Sequence, residues 1–212
     1  MNYSQLVTAI EDYTGNSESS FIANIPLFVQ QAEERIYNSV QIPALRKNQL
    51  GAMTSGNQYL SLPADWLYTY SLAVIDPASN QQMFLLNKDV NYIRQAFPNA
   101  AANGMPTHYA VFDEDSLILG PTPDLNYSVE LHYGYYPPSI VTAGTSWIGD
   151  NFETVLLYGS LREAYLYMKG DQDMVGYYET KYQEGILLLK QLAEGKNRQD
   201  MYRTPQARYP VG

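Results

Sequence analysis

The sequence predicts an α+β protein: a helical bundle from N- and C-terminal helices, a central inserted antiparallel β module and an extended C-terminal arm. Three observations predict it. Apolar residues recur at three- and four-residue steps near both ends, alternate with a period of two in the middle, and thin out after Gly195. The expected limits are 1–42 and 150–195 for the bundle, 43–149 for the β module and 196–212 for the arm. Helices and strands segregated along the chain in this way pack as separate layers, not as repeated βαβ units.

The first helix has Ser4 as its N-cap candidate, carries Leu6, Val7 and Ile10, and closes at Gly15. A second begins at Asn24 to Pro26, because proline in a first turn removes a donor that the helix does not use. It runs on through Phe28, Val29, Ala32, Ile36 and Tyr37, and Glu33, Glu34 and Arg35 are expected to face solvent or a neighbouring subunit. From Pro43 the period changes. Residues 44–53 and 58–62 flank the turn signal Thr54-Ser55-Gly56-Asn57 and are expected to form a hairpin.

Two further strand-like runs follow, 68–76 and 82–86, and then a short helix over 89–97 that Pro98 ends. Residues 97–105 are small and polar, as in a surface loop. Strands 107–112 and 117–119 are expected to pair across Asp113-Glu114-Asp115-Ser116, before a corner at Gly120-Pro121-Thr122-Pro123-Asp124. The stretch 127–136 alternates Tyr127, Val129, Leu131, Tyr133 and Tyr135 against Ser128, Glu130, His132 and Gly134, which is the period of a strand with one buried face. Pro137-Pro138 stops it. Helix 152–168 is apolar around most of its circumference, the pattern of a buried helix. The last helix carries Met174, Tyr178, Tyr182, Ile186, Leu189 and Ala193 in one stripe.

Composition narrows the function. A chain of 212 residues can bury enough surface to fold without metal or disulfide. It has no cysteine, which suits assembly in the cytoplasm and excludes thiol nucleophiles and thiolate metal sites. The first residues lack the basic and apolar regions of a secretory leader, and no apolar run approaches the roughly 18 residues of a membrane span, so a soluble protein without a membrane anchor is expected. A net charge of −9 argues against wrapping nucleic acid, though a duplex can slide past an acidic wall. Twenty tyrosines against six phenylalanines favour wet, well-packed interfaces.

Enzyme signatures are missing. There is no glycine-rich phosphate loop, dinucleotide fingerprint or paired-histidine zinc helix. His108 and His132 lie in predicted strands. Asp113, Glu114 and Asp115 have the composition of a turn, and Asp171 and Asp173 that of a helix start. No catalytic residue, metal ligand or cofactor site is expected. Two alternatives stay open: a glycosidase using two carboxylates, and a sugar-binding module using Trp66 or Trp147.

Four stretches, taken together and in order, resemble the head-to-tail adaptor, or connector, proteins of tailed bacteriophages. They are Gln30-Gln31-Ala32-Glu33-Glu34-Arg35-Ile36; Leu60-Ser61-Leu62-Pro63-Ala64-Asp65-Trp66-Leu67; the run from Gly104-Met105-Pro106-Thr107-His108 to Gly120-Pro121-Thr122-Pro123-Asp124; and Tyr133-Gly134-Tyr135-Tyr136-Pro137-Pro138 leading into 152–164. The resemblance covers nearly the whole chain. It implies a structural, non-enzymatic virion protein in the neck, assembled in the host cytoplasm. It further implies a homo-oligomeric ring of twelve under the portal protein ring, which contacts tail nozzle or tail fibre proteins and continues the path of double-stranded DNA for genome retention and ejection. In such proteins the C-terminal arm docks on the portal. The matching residues here are Lys196, Arg198, Met201, Tyr202, Arg203, Arg208 and Tyr209: basic side chains for a groove between portal subunits, with Met201, Tyr202 and Tyr209 as apolar anchors. Another tail protein, for tail completion or fibre attachment, is the alternative within the virion.

Overall fold

A computed structural model describes the backbone from Met1 to Arg203 and the side chains to Ala193. Two compact units emerge: Met1–Leu45 with the described residues from Pro137 onward, and Arg46–Tyr136 between them.

The first unit is helical. Helix α1 (Tyr3–Thr14) is capped not by Ser4 but by Asn2, which accepts from Gln5 N while the Gln5 side chain accepts from Asn2 N. This reciprocal box satisfies two end donors at once, which Ser4 alone would not. Gly15 closes the helix with a left-handed φ of 62°. After the single turn of α2 (Ser19–Ile22) comes α3 (Ile25–Ser39), which buries Phe28, Val29, Ala32, Ile36 and Tyr37, as its spacing predicts.

Two short helices, α5 (Ile140–Ala143) and α6 (Trp147–Asn151), then lead into α7 (Glu153–Tyr167) and α8 (Gln172–Arg203). The sequence predicts 137–149 as part of the β module. The structure places it in the helical unit, because Ile140 and Ile148 are buried in the helical core.

Helix α7 runs through the middle of that core, against α1, α3 and α8. Two glycines make this possible. A Cβ on Gly159 would come 3.1 Å from Ala32 and 3.2 Å from the Tyr182 ring, and one on Gly185 would sit 2.5 Å from Val155. Tyr178, Tyr182, Ile186, Leu189 and Ala193 form the buried stripe of α8. That helix passes Gly195 and continues to Arg203, so the first eight residues of the expected arm are helical. One glycine costs a helix only about 1 kcal/mol, and no proline stands between Gly195 and Pro205. Residues 204–212 lie outside the described residues.

The second unit holds two four-stranded sheets. Strands β1 (Arg46–Met53), β3 (Tyr68–Ile75), β4 (Gln82–Phe84) and β8 (Tyr127–Gly134) form one, in the order β1-β8-β3-β4. Strands β2 (Tyr59–Ser61), β5 (Leu86–Asn87), β6 (His108–Val111) and β7 (Ser116–Gly120) form the other, in the order β2-β7-β6-β5. All pairings are antiparallel except β5 with β6. Leu72 and Val74 of β3, Tyr127 to Tyr133 of β8, and Leu117 and Leu119 of β7 share one core. Ala110 and Ile118, on the far face of the second sheet, pack against Ile93 of α4 (Val90–Ala96), which Asp89 caps.

The β6–β7 hairpin forms as expected. The hairpin between 44–53 and 58–62 does not. Its turn exists, with Asn57 N donating to Thr54 O, but β1 pairs with β8 along all eight residues while β2 pairs with β7 in the other sheet. A three-residue strand cannot match the ladder that β8 offers to β1.

Candidate functional site

The described side chains build surfaces and the contacts that stiffen them. On the helical unit, Arg35 of α3 joins α7 and α8. Its guanidinium spans both carboxylate oxygens of Glu179 at 3.0 Å, reaches Glu163 at 3.3 Å and lies 4.6 Å over the Tyr182 ring. Arg162 closes the network, 2.6 Å from Glu163 and 3.0 Å from Glu179. Burial works against the Glu179 charge, but hydrogen bonds from Gln183 and Arg35 outweigh it and hold its carboxyl below the usual range. These residues are up to 144 positions apart, so no local pattern reveals the network. The one sequence signal is the pair Arg162-Glu163 inside a helix otherwise nearly all apolar.

Glu33 is the second missed residue. It is 2% exposed rather than solvent-facing, and its Oε1 accepts from Ile140 N at 2.9 Å. Burial pushes its carboxyl above the ordinary value, against the pull of hydrogen bonds from Ser139 and Ile140. The carboxylate thus satisfies the first turn of α5 and ties the returning chain to α3.

Apolar groups stay exposed in patches. Tyr177, Leu188 and Leu192 stand on one flank of α8, and Leu187 on another. Tyr167 is exposed and forms a ring cluster with Phe21 and Phe28, whose centroids lie 5.2–6.4 Å apart, and their chain neighbours Ile22 and Leu27 are exposed as well. Clustered exposed apolar side chains are a mark of protein interfaces. Of the expected docking residues, Lys196, Arg198, Met201, Tyr202 and Arg203 fall on the last turns of the α8 backbone, while Arg208 and Tyr209 lie outside the described residues.

The residues weighed for catalysis or sugar binding each have local partners. Asp113 accepts from Asp115 N at 3.0 Å and from Ser116 Oγ at 2.7 Å, in the β6–β7 turn. Asp171 accepts from Asp173 N at the start of α8. His108 meets Thr107 Oγ1 at 2.8 Å, and His132 stacks on Tyr70. Trp66 donates to Thr69, and Trp147 packs on Phe152; both rings are half-buried. No group of three or more metal-ligating side chains occurs among the described residues, and no described helix is long and apolar enough to cross a membrane.

A family model described as SU10 adaptor protein matches residues 1–209. The chain belongs to that family. It is therefore a structural phage adaptor of the head-to-tail type, and the helical unit, the β unit and most of the C-terminal segment all fall within the match. No curated protein matches the adaptor.

Proposed function

We propose that twelve copies of this adaptor form the ring that joins the portal to the tail and continues the DNA channel for genome retention and ejection. The observation that carries the reading is the family match through residue 209, which takes in the basic C-terminal segment along with both folded units. The helical unit is suited to a ring wall. Its helices are locked by the Arg35 network, and it keeps unlike apolar patches on α8 and around Tyr167, as a head-to-tail contact between neighbours requires. The last turns of α8 and residues 204–212 dock on the portal through Lys196, Arg198, Met201, Tyr202, Arg203, Arg208 and Tyr209. An α8 of 32 residues spans about 48 Å and carries the docking segment well beyond the packed stripe that ends at Ala193. The net charge of −9 leaves DNA free to pass. Tail nozzle or fibre proteins take the opposite side of the ring.

The test is to mix purified adaptor with its cognate portal and measure the mass of the complex, for the full chain and for a truncation lacking 196–212. A twelvefold complex with the full chain alone is the expected result. Full-length protein that ignores the portal refutes the portal assignment and moves the adaptor to a tail-completion or fibre-attachment position. Binding by both forms refutes the docking role of the segment.

A further inference from the structure

The outer face of the β1-β8-β3-β4 sheet contains a trough of about 320 Å³ that is not part of either core. Small residues make its floor: Ser71 and Ala73 on β3 leave a gap between the longer side chains of the flanking strands. Glu130 of β8 stands at its centre. Asn48 of β1 donates its Nδ2 to one Glu130 oxygen at 2.5 Å, and Gln82 of β4 donates its Nε2 to the other. Phe84 forms one wall, 65% exposed, and His132 the opposite end.

The hydrogen bonds already made at Glu130 select the ligand. Both side-chain amides have turned an N–H toward Glu130, so each leaves its carbonyl oxygen for a visitor. Glu130 retains further lone pairs on both oxygens. The trough therefore offers carbonyl acceptors beside one negative charge, and has an aromatic wall. A guanidinium answers all of this: five donors, a positive charge and a plane that packs on a ring. The same sheet face already shows the packing mode, since Arg46 lies 4.7 Å over Tyr70, itself stacked on His132. The surroundings also favour a basic visitor. Between Arg46 and Tyr136 the only basic residues are Arg46, Lys47, Lys88 and Arg94, against twice as many carboxylates.

We propose that this trough is a docking site for an arginine side chain presented by a partner protein, with Glu130 as its counter-ion, Asn48 and Gln82 as orienting acceptors and Phe84 as the stacking wall. The inference stands independently of the twelvefold ring.

The test is a two-dimensional amide NMR titration of the full chain with N-acetyl-arginine methylamide, and with its lysine counterpart as comparison. Expected are saturable shifts at 71–73, 82–84 and 130–132, with a Kd on the order of millimolar, as befits one side chain. The lysine compound should bind about fivefold more weakly, because an ammonium has neither the fork nor the plane. Glu130→Gln keeps the shape and should weaken arginine binding about tenfold. Phe84→Ala, at a side chain that supports no core, should weaken it severalfold. The absence of saturable shifts at these amides overturns the proposal. So does equal binding by Glu130→Gln, or equal binding of lysine, which would reduce the trough to a plain acidic surface. Concentration-dependent shifts of the same amides without any probe would assign the trough to a second copy of this chain and overturn the partner assignment.

Discussion

Replacing Glu33 by alanine tests the tie between α3 and α5. The Glu33 side chain is 2% exposed and its Oε1 is bound by Ile140 N at 2.9 Å, so alanine leaves a buried N–H without its acceptor. Such an orphan costs about 1–3 kcal/mol. The one lost methylene adds about 0.8 kcal/mol, and removing a buried charge returns part of the sum. A net loss of about 1–3 kcal/mol is expected. At about 2–4 °C per kcal/mol for a chain of this size, the midpoint should fall by roughly 2–12 °C. Glu33→Gln retains an acceptor for Ile140 and should stay within about 1 kcal/mol of the parent at neutral pH.

The pH dependence separates the two roles of this carboxyl. Its folded pKa is raised by burial, so the folded state holds the proton more tightly than the unfolded chain does. The stability it contributes is complete below the unfolded carboxylate pKa and is lost as pH rises through the folded value. Helical circular dichroism melts at pH 5 and pH 7.5 read this directly. The difference in stability between parent and Glu33→Gln should shift in favour of the parent at the lower pH. Glu33→Ala melting within 2 °C of the parent, a value set by the conversion above, would refute the account of Glu33 as a buried cap.

Two helical glycines should respond to alanine in opposite directions. Gly176→Ala meets nothing within 4 Å and should gain about 0.5–1 kcal/mol, whereas Gly185→Ala drives a methyl to 2.5 Å from Val155 and should lose about 1–3 kcal/mol by overpacking; thermal melts give both signs. Arg35→Ala leaves Arg162 as the one cation shared by Glu163 and Glu179, and should cost about 1–2 kcal/mol in denaturant titrations after allowance for partial exposure. Arg35→Lys should recover less than half of that loss, because one ammonium cannot span both carboxylates.

Elements with a local cause were legible in the sequence. Gly15 closes α1 because an αL residue is needed there, the alternation from Tyr127 to Tyr133 matches the buried face of β8, and the stripe from Tyr178 to Ala193 is the packed face of α8. What was not legible depends on distant partners. Both β1 and β2 have the composition of strands, but only the length of β8, more than seventy residues on, decides that β1 pairs there and β2 elsewhere. Glu33 carries an ordinary surface residue type, and its burial follows from a backbone donor at Ile140. Helix α8 runs past its expected end because a single glycine has little power to break a helix. For the candidate site, the basic C-terminal residues could be seen as composition, whereas the Arg35 network and the trough around Glu130 arise only when separate strands and helices meet.

The β unit begins at Arg46 and its last strand ends at Gly134, and these two residues are ladder partners. Entry and exit thus lie about 5 Å apart, at one end of one strand pair. A segment attached through a single neck of this kind behaves as a cassette. It can be lengthened, shortened or exchanged for another without changing the distance the helical unit has to bridge between Leu45 and Pro137. Tension applied through the neck would peel β1 from β8 one rung at a time instead of shearing the whole ladder together.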